Sequence, residues 1–157
     1  ESIHGREDAK PLVAWSGWEI RRYRDDLILR QSRSAEPLPE RIVWQNKQKL
    51  ELPAGLGTLV ATTGSSGLNR ERWQLGEVEV RFRQGGERCV PAGRGHHKSL
   101  KKLFQETGLP PWERDRTPLI YIDGELAAIP GMLICEGFSL ADGDQGILLQ
   151  IHQSTTE

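Results

Sequence analysis

A mainly β fold of the α+β kind is what these 157 residues predict: a β-sandwich or barrel-like sheet with one inserted amphipathic helix, preceded by a short β-hairpin. Three observations predict it. Apolar runs of strand length recur along the chain, each bounded by turn residues. Seventeen glycines punctuate those runs. A single stretch, 93–112, reads as a short amphipathic helix with a basic entry and an apolar stripe at helical spacing.

The elements follow in order. Trp18–Tyr23 and Leu27–Leu29 flank the acidic pair Asp25-Asp26 and predict a hairpin. Residues 31–40, with Ser32, Ser34, Pro37 and Pro39, read as a linker. Short strands are expected at Arg41–Trp44, Leu50–Leu52 and Gly57–Thr62, with a break at Gly64-Ser65-Ser66-Gly67. Val78, Val80 and Phe82 alternate with Glu79, Arg81 and Arg83, which predicts a half-buried strand with its charges in water. Leu100, Leu103 and Phe104 stand at i, i+3 and i+4, and Gly108 then Leu109 and Pro110 stop that helix. Pro118–Asp123 and Glu125–Ile129 pair across Asp123-Gly124. Met132–Cys135 and Ile147–Ile151 complete the set, and no internal repeat is present.

Charge is uneven. The net formal charge is −1, yet residues 117–157 carry −6 and residues 1–116 carry +5. From Arg88 to Gln105 there are five Lys or Arg and no Asp or Glu. Cations therefore crowd a helix start, where the dipole favours acids. Flexible glycines beside a helix N-terminus with free N–H groups suit a phosphate, and a solvated basic face is the plainer alternative.

Other chemistries find no footing. Gly93-Arg94-Gly95 lacks the third glycine of a dinucleotide fingerprint, and there is no Walker A, GxSxG or HExxH motif. His96 and His97 are adjacent and diverge, which is poor metal geometry. Asp142 and Asp144 resemble the start of a calcium loop without its closing Glu. No metal site and no catalytic residue is assigned. Cys89 and Cys135 form no CxxC pair, and buried free thiols in a reducing compartment are expected. There is no apolar run of membrane-spanning length and no signal peptide, and the chain starts at Glu1, so it reads as a fragment of a longer cytoplasmic protein. Trp112 is open to two readings, a stacking platform for an unpaired base or a hydrophobic plug below the helix.

One string is more specific. Lys98-Ser99-Leu100-Lys101-Lys102-Leu103-Phe104-Gln105-Glu106, followed by Gly108-Leu109-Pro110-Pro111-Trp112-Glu113-Arg114-Asp115-Arg116 and Thr117-Pro118-Leu119, resembles the C-terminal domain of bacterial tRNA(Ile)-lysidine synthetase. Arg81-Phe82-Arg83, Gly93-Arg94, Gly124-Glu125-Leu126 and Pro130-Gly131 support it, and Glu7-Asp8-Ala9 with Glu19–Tyr23 resembles the end of that enzyme's middle, substrate-recognition domain. The resemblance is strongest over 78–131 and thin over 31–77. It implies two parts: 1–36, the hairpin tail of the middle domain plus linker, and 37–157, the C-terminal tRNA-binding domain.

The resemblance also implies a β-rich sandwich with an inserted helix, akin to a domain in the β chain of phenylalanyl-tRNA synthetase. The parent enzyme of that family uses ATP and Mg²⁺ to adenylate the wobble cytidine of an isoleucine tRNA and then attaches lysine. Its SGGxDS motif is absent here, since Thr63-Gly64-Ser65-Ser66-Gly67 does not match it. The implied role is thus to hold isoleucine tRNA at its acceptor arm by phosphate contacts, with no catalysis and no cofactor in this fragment. The residues expected to make those contacts are Arg81, Arg83, Arg88, Arg94, Lys98, Lys101, Lys102, Arg114 and Arg116. No membrane is implied, and a homodimeric parent stays open. Two other readings stay open as well: a protein-interaction module docking through Leu103 and Phe104, and a self-standing enzyme.

Overall fold

The structure is a computed structural model, and it describes residues 13–15, 17–31, 37–93, 95–140 and 145–153. Among the described residues there are four antiparallel sheets. The first is three-stranded: β1 (Val13–Trp15), β2 (Trp18–Tyr23) and β3 (Asp26–Gln31) in that order. Its β2–β3 turn is Arg24-Asp25, so Asp26 begins a strand instead of sitting in the turn as expected. Residues 32–36, the centre of the expected linker, lie outside the described residues.

Two larger sheets form the body. One runs β13 (Leu133–Ile134), β12 (Glu125–Ile129), β11 (Leu119–Ile122), β8 (Val78–Arg81), β4 (Arg41–Val43). The other runs β5 (Lys49–Glu51), β6 (Thr58–Gly64), β14 (Gly146–His152), β7 (Leu68–Asn69). A small ribbon, β9 (Arg88–Cys89) with β10 (Lys98–Ser99), leads into helix α2 (Leu100–Thr107). Side chains from both large sheets and from the helix meet in the core. Val80, Leu119 and Ile122 from one large sheet, Leu59, Leu68 and Ile147 from the other, and Leu100, Leu103 and Phe104 of α2 belong to one buried cluster. Burial of that apolar area, at about 25 cal/mol per Å², is the main stabilising term.

The expected helix is present with its expected stop. Gly108 takes the left-handed conformation at φ 76°, and its N–H reaches back to the Gln105 and Phe104 carbonyls. Two short helices join it. α3 (Pro111–Arg114) starts on proline, which is pre-set for a first turn. α1 (Arg70–Leu75) was not expected: it is one turn and a half, too short to show a period. It forms because the Asn69 side chain accepts from the Arg72 N–H and because the chain turns off at Gly76. A Cβ on Gly76 would stand 2.7 Å from the Arg72 carbonyl oxygen and run into Ile122, so only glycine fits there. Trp73 of α1 meets Trp44 edge to face at 5.2 Å, inside the core.

Two further expectations need correction. Cys89 and Cys135 are not free thiols; they form a disulfide that links β9 to the chain just past β13 across 46 residues. Their spacing in sequence carries no sign of it, because antiparallel bridging of Pro91 to Cys135 is what brings them together. The wet face expected on β8 is dry at one position: Arg81 and Arg83 stay part-exposed, but Glu79 is only 6% exposed. Its charge is met by Arg81 at 3.3 Å and Arg41 at 3.7 Å.

Candidate nucleic-acid interface

The basic residues of the sequence divide into two groups of different character. The first gathers on the β9–β10 ribbon and the first turn of α2. Register pairs Arg88 with Ser99 and Cys89 with Lys98. Arg88, Lys101 and Lys102 are exposed, as are His96 and His97 in the loop between the strands. Lys98 is half-buried and is held by both carboxylate oxygens of Glu106, at 3.0 and 3.1 Å, two turns along the helix. Arg94 lies outside the described residues.

The helix terminus itself differs from expectation. Two of its N–H groups are taken: the Leu100 N–H donates to the Glu87 carbonyl at 3.0 Å, and the Lys102 N–H donates to Ser99 Oγ at 3.2 Å. What the terminus offers an anion is therefore side-chain charge more than bare backbone. No acid stands in the first turn of α2, so Lys101 and Lys102 add to the positive end of the dipole with nothing on that turn to offset them.

The second group is committed to the protein's own interior and joints. Arg81 lies with its guanidinium carbon 4.3 Å from the centre of the Tyr121 ring and pairs with Glu79. Arg83 stands 3.9 Å from Asp115, tying the end of β8 to the loop after α3. Arg116 is half-buried. Arg114 is buried, and the expectation that it faces RNA is corrected: its Nε donates to the Leu109 carbonyl at 2.9 Å and its Nη2 to the Tyr23 hydroxyl at 3.3 Å. At 7% exposure, with its guanidinium turned to a turn carbonyl and the Tyr23 phenol, Arg114 offers little surface to a phosphate.

Tyr121 belongs to this second environment. Burial, and next the negative charge of Glu87, push its hydroxyl above the usual phenol range, while Arg81 pulls the other way. It therefore stays a neutral phenol well past neutrality.

Sequence reasoning did not anticipate what surrounds Trp112. Neither a plug nor an open platform, its ring takes the guanidinium carbon of Arg21 at 5.2 Å and that of Arg30 at 5.9 Å, with Tyr23 edge-on at 6.1 Å. Glu19, 6% exposed, holds Arg21 and Arg30 at 2.8 and 3.1 Å, and Arg30 continues to Glu113 at 3.2 Å. Arg24 adds a bond to the Gln105 carbonyl at 2.8 Å. The signal was present as Glu19, Arg21 and Tyr23 at every second residue of β2, which puts all three on one face.

Leu103 and Phe104 are buried, so the docking of a partner through them is excluded by their own packing. Among the described residues no cluster of three His, Cys, Asp or Glu is placed to hold a metal, and no helix is long and apolar enough to cross a membrane.

Comparison with known proteins follows the same lines. The family described as the TilS substrate C-terminal domain matches residues 78–151, which takes in β8, the ribbon, α2, α3 and the strands up to β14. The chain is 43% identical over 138 residues to the tRNA(Ile)-lysidine synthase of Coxiella burnetii, covering 88% of this chain and 30% of that protein. It is 40% identical over 132 residues to the tRNA(Ile)-lysidine synthase of Methylococcus capsulatus, covering 83% and 30%. It thus spans about 30% of the length of the curated relatives it matches. The crystal structure of a TILS C-terminal domain superposes with a TM-score of 0.55 at 26% identity, covering 70% of this chain and 93% of that one. With the ribbon and basic helix inside the matched segment and the synthase relatives matching over 83–88% of the chain, the chain belongs to the tRNA(Ile)-lysidine synthase family, as its C-terminal portion.

Proposed function

We propose that this chain is the tRNA-holding region of a cytoplasmic, ATP-dependent tRNA(Ile)-lysidine ligase, and that it grips the acceptor arm of isoleucine tRNA while a separate catalytic domain modifies the wobble cytidine. The observation that carries this reading is the cation cluster on the ribbon and α2. Arg88, Lys101 and Lys102 are exposed there, beside Lys98, with no acid in the helix's first turn. Such a surface meets phosphates in register and reads no bases, because an A-form stem hides its base edges in a deep, narrow groove. In this reading Arg81, Arg83, Arg114 and Arg116 hold the frame on which that surface sits. ATP and Mg²⁺ belong to the parent's catalytic domain in this reading, and no residue here is assigned to them.

The test is twofold. Titrate the chain with isoleucine tRNA across a salt series, then incubate it with tRNA, ATP and lysine. Binding that weakens steeply with salt, with no lysidine formed, is the expected result. Binding indifferent to salt, or conversion of ATP to AMP above a blank, overturns the proposal.

A further inference from the structure

The β9–β10 ribbon that carries the cation cluster is a slight structure. It is two residue pairs long, Arg88 with Ser99 and Cys89 with Lys98, and a hairpin of that length is marginal by itself in water. In the loop between its strands Gly93 and Gly95 take left-handed φ values of 83° and 71°. The β10 side runs straight into α2 and is steadied there by the Ser99 cap and the Lys98–Glu106 pair. Downstream of Cys89, the β9 side is tied to the chain around β13 by two backbone bonds. The Glu136 N–H donates to the Val90 carbonyl at 2.6 Å, and the Ala92 N–H to the Ile134 carbonyl at 2.9 Å. Pro91 and Ala92 also border a groove of about 680 Å³, shared with Leu103, Met132 and Ile134, so open space lies along that flank. The covalent tie is the disulfide. Cys89 and Cys135 stand with Cα atoms 5.9 Å apart, and each is 3% exposed.

We propose that this disulfide is a reversible switch on the RNA grip. Closed, it fixes the basic ribbon to the body of the domain; opened to two thiols, it frees the ribbon and weakens the hold on tRNA. The inference rests on the cytoplasmic, tRNA-holding reading above. Compartment argues for reversibility, because disulfides in the cytosol are usually transient and serve catalysis or redox sensing, and no catalytic role falls to this pair. Position argues for the readout. Arg88 precedes Cys89 in the chain and Lys98 faces it across the ribbon, so the state of the sulfur acts on two cations of the cluster. A loosened ribbon must be ordered when phosphates seat on it, and that ordering lowers affinity. Closure needs a small disulfide of the glutathione class as oxidant. One cysteine thiolate attacks its S–S bond and releases one glutathione thiol, and the second thiolate then displaces the other from the mixed disulfide. The Cys89–Cys135 bond forms, the glutathione bond breaks, and two electrons and two protons leave on the two glutathione thiols. Both sulfurs are shielded in the closed ribbon, so exchange waits on local opening, which so short a ladder permits.

The test equilibrates full-length synthase in glutathione buffers from mostly oxidised to mostly reduced. Alkylation and mass spectrometry count the thiols at Cys89 and Cys135. Binding of isoleucine tRNA is measured in each form at graded salt, beside lysidine formation on a bare anticodon stem-loop. Cys89→Ser combined with Cys135→Ser controls for every other thiol. The expected result is that both forms are populated within the series and that the dithiol form binds tRNA several-fold more weakly. Amide exchange from Arg88 to Ala92 should quicken in that form, with exchange in β8 and β11 and activity on the stem-loop unchanged. The serine variant should bind like the dithiol form at every glutathione ratio. A bond that stays closed in a large excess of reduced glutathione overturns the proposal, and so does a pair that never closes in the oxidised buffer. Stem-loop activity that falls along with tRNA binding overturns it as well, since the whole fold has then loosened. Salt-steep binding that is equal in the two forms overturns the switch and leaves the RNA reading standing, whereas binding by the oxidised enzyme that ignores salt overturns both.

Discussion

Lys101→Glu combined with Lys102→Glu separates a phosphate clamp from a merely wet helix. Both side chains are exposed on the first turn of α2, and Lys98 is left untouched in its pair with Glu106. The first turn holds no acid. Each new glutamate there gains about 0.3–1 kcal/mol from the helix dipole, so the variant should be as stable as the parent or slightly more so. Affinity for RNA should move the other way. Each phosphate contact adds about 0.7–0.9 to the slope of log K against log salt, so losing two removes about 1.4–1.8. Across a fourfold salt increase the variant should then lose about 7- to 12-fold less affinity than the wild type, from a lower starting point. The assay is filter or fluorescence binding of full-length synthase to isoleucine tRNA at graded salt, run beside lysidine formation on a bare anticodon stem-loop. Stem-loop activity should hold while full-length tRNA binding falls. Equal loss on both substrates would show that the cluster is no acceptor-arm clamp, and no change on either would show that the charge is only solvated.

Three other outcomes follow from the packing. Phe104→Ala empties a fully buried site between the helix and the sheets and should cost about 3–5 kcal/mol in chemical denaturation; an unchanged midpoint would contradict its burial. Reducing the Cys89–Cys135 disulfide frees a 46-residue loop and should lower stability by about 4 kcal/mol on the chain-entropy account, read as a shift in the unfolding midpoint with and without a thiol reductant. Tyr121 titrates higher in the folded chain than in the unfolded one. The folded state thus keeps its proton longer, and this contribution is fully present below the unfolded phenol pKa of about 10 and lost as pH rises beyond it. Tyr121→Phe should make stability fall less steeply above that pH, and equal slopes for the two proteins would refute the assignment.

Much of the frame was legible because it depends on local rules. Leu100, Leu103 and Phe104 announce a helix face by spacing alone, and Gly108 announces its end by the conformation only glycine takes cheaply. The β11–β12 hairpin follows from Asp123-Gly124, both of which have positive φ. What escaped depends on what lies across from a residue. A strand with alternating charges implies one wet face, and Glu79 is buried there where Arg81 and Arg41 meet its carboxylate. The sequence shows that Arg114 is charged and not that it points inward to Leu109 and Tyr23. The helix start looks open to anions until Glu87, thirteen residues earlier, supplies its carbonyl. Trp112 was ambiguous for the same reason: its neighbours come from β2 and β3, some eighty to ninety residues away in the chain.

Strand β14 has a bearing on how the protein is made. It is the last described strand, yet it lies between β6 and β7, which a ribosome delivers some eighty residues sooner. Seven residue pairs, from Gly146 with Gly64 to His152 with Thr58, wait on it. Until Gly146–His152 emerge, β6 has β5 on one side and a bare ladder of N–H and C=O groups on the other, a template for any passing strand. The nascent chain thus carries a half-zipped sheet until β14 emerges. A premature stop before residue 146 would leave that sheet permanently open, a substrate for proteases and aggregation even though the basic ribbon and helix had already been made.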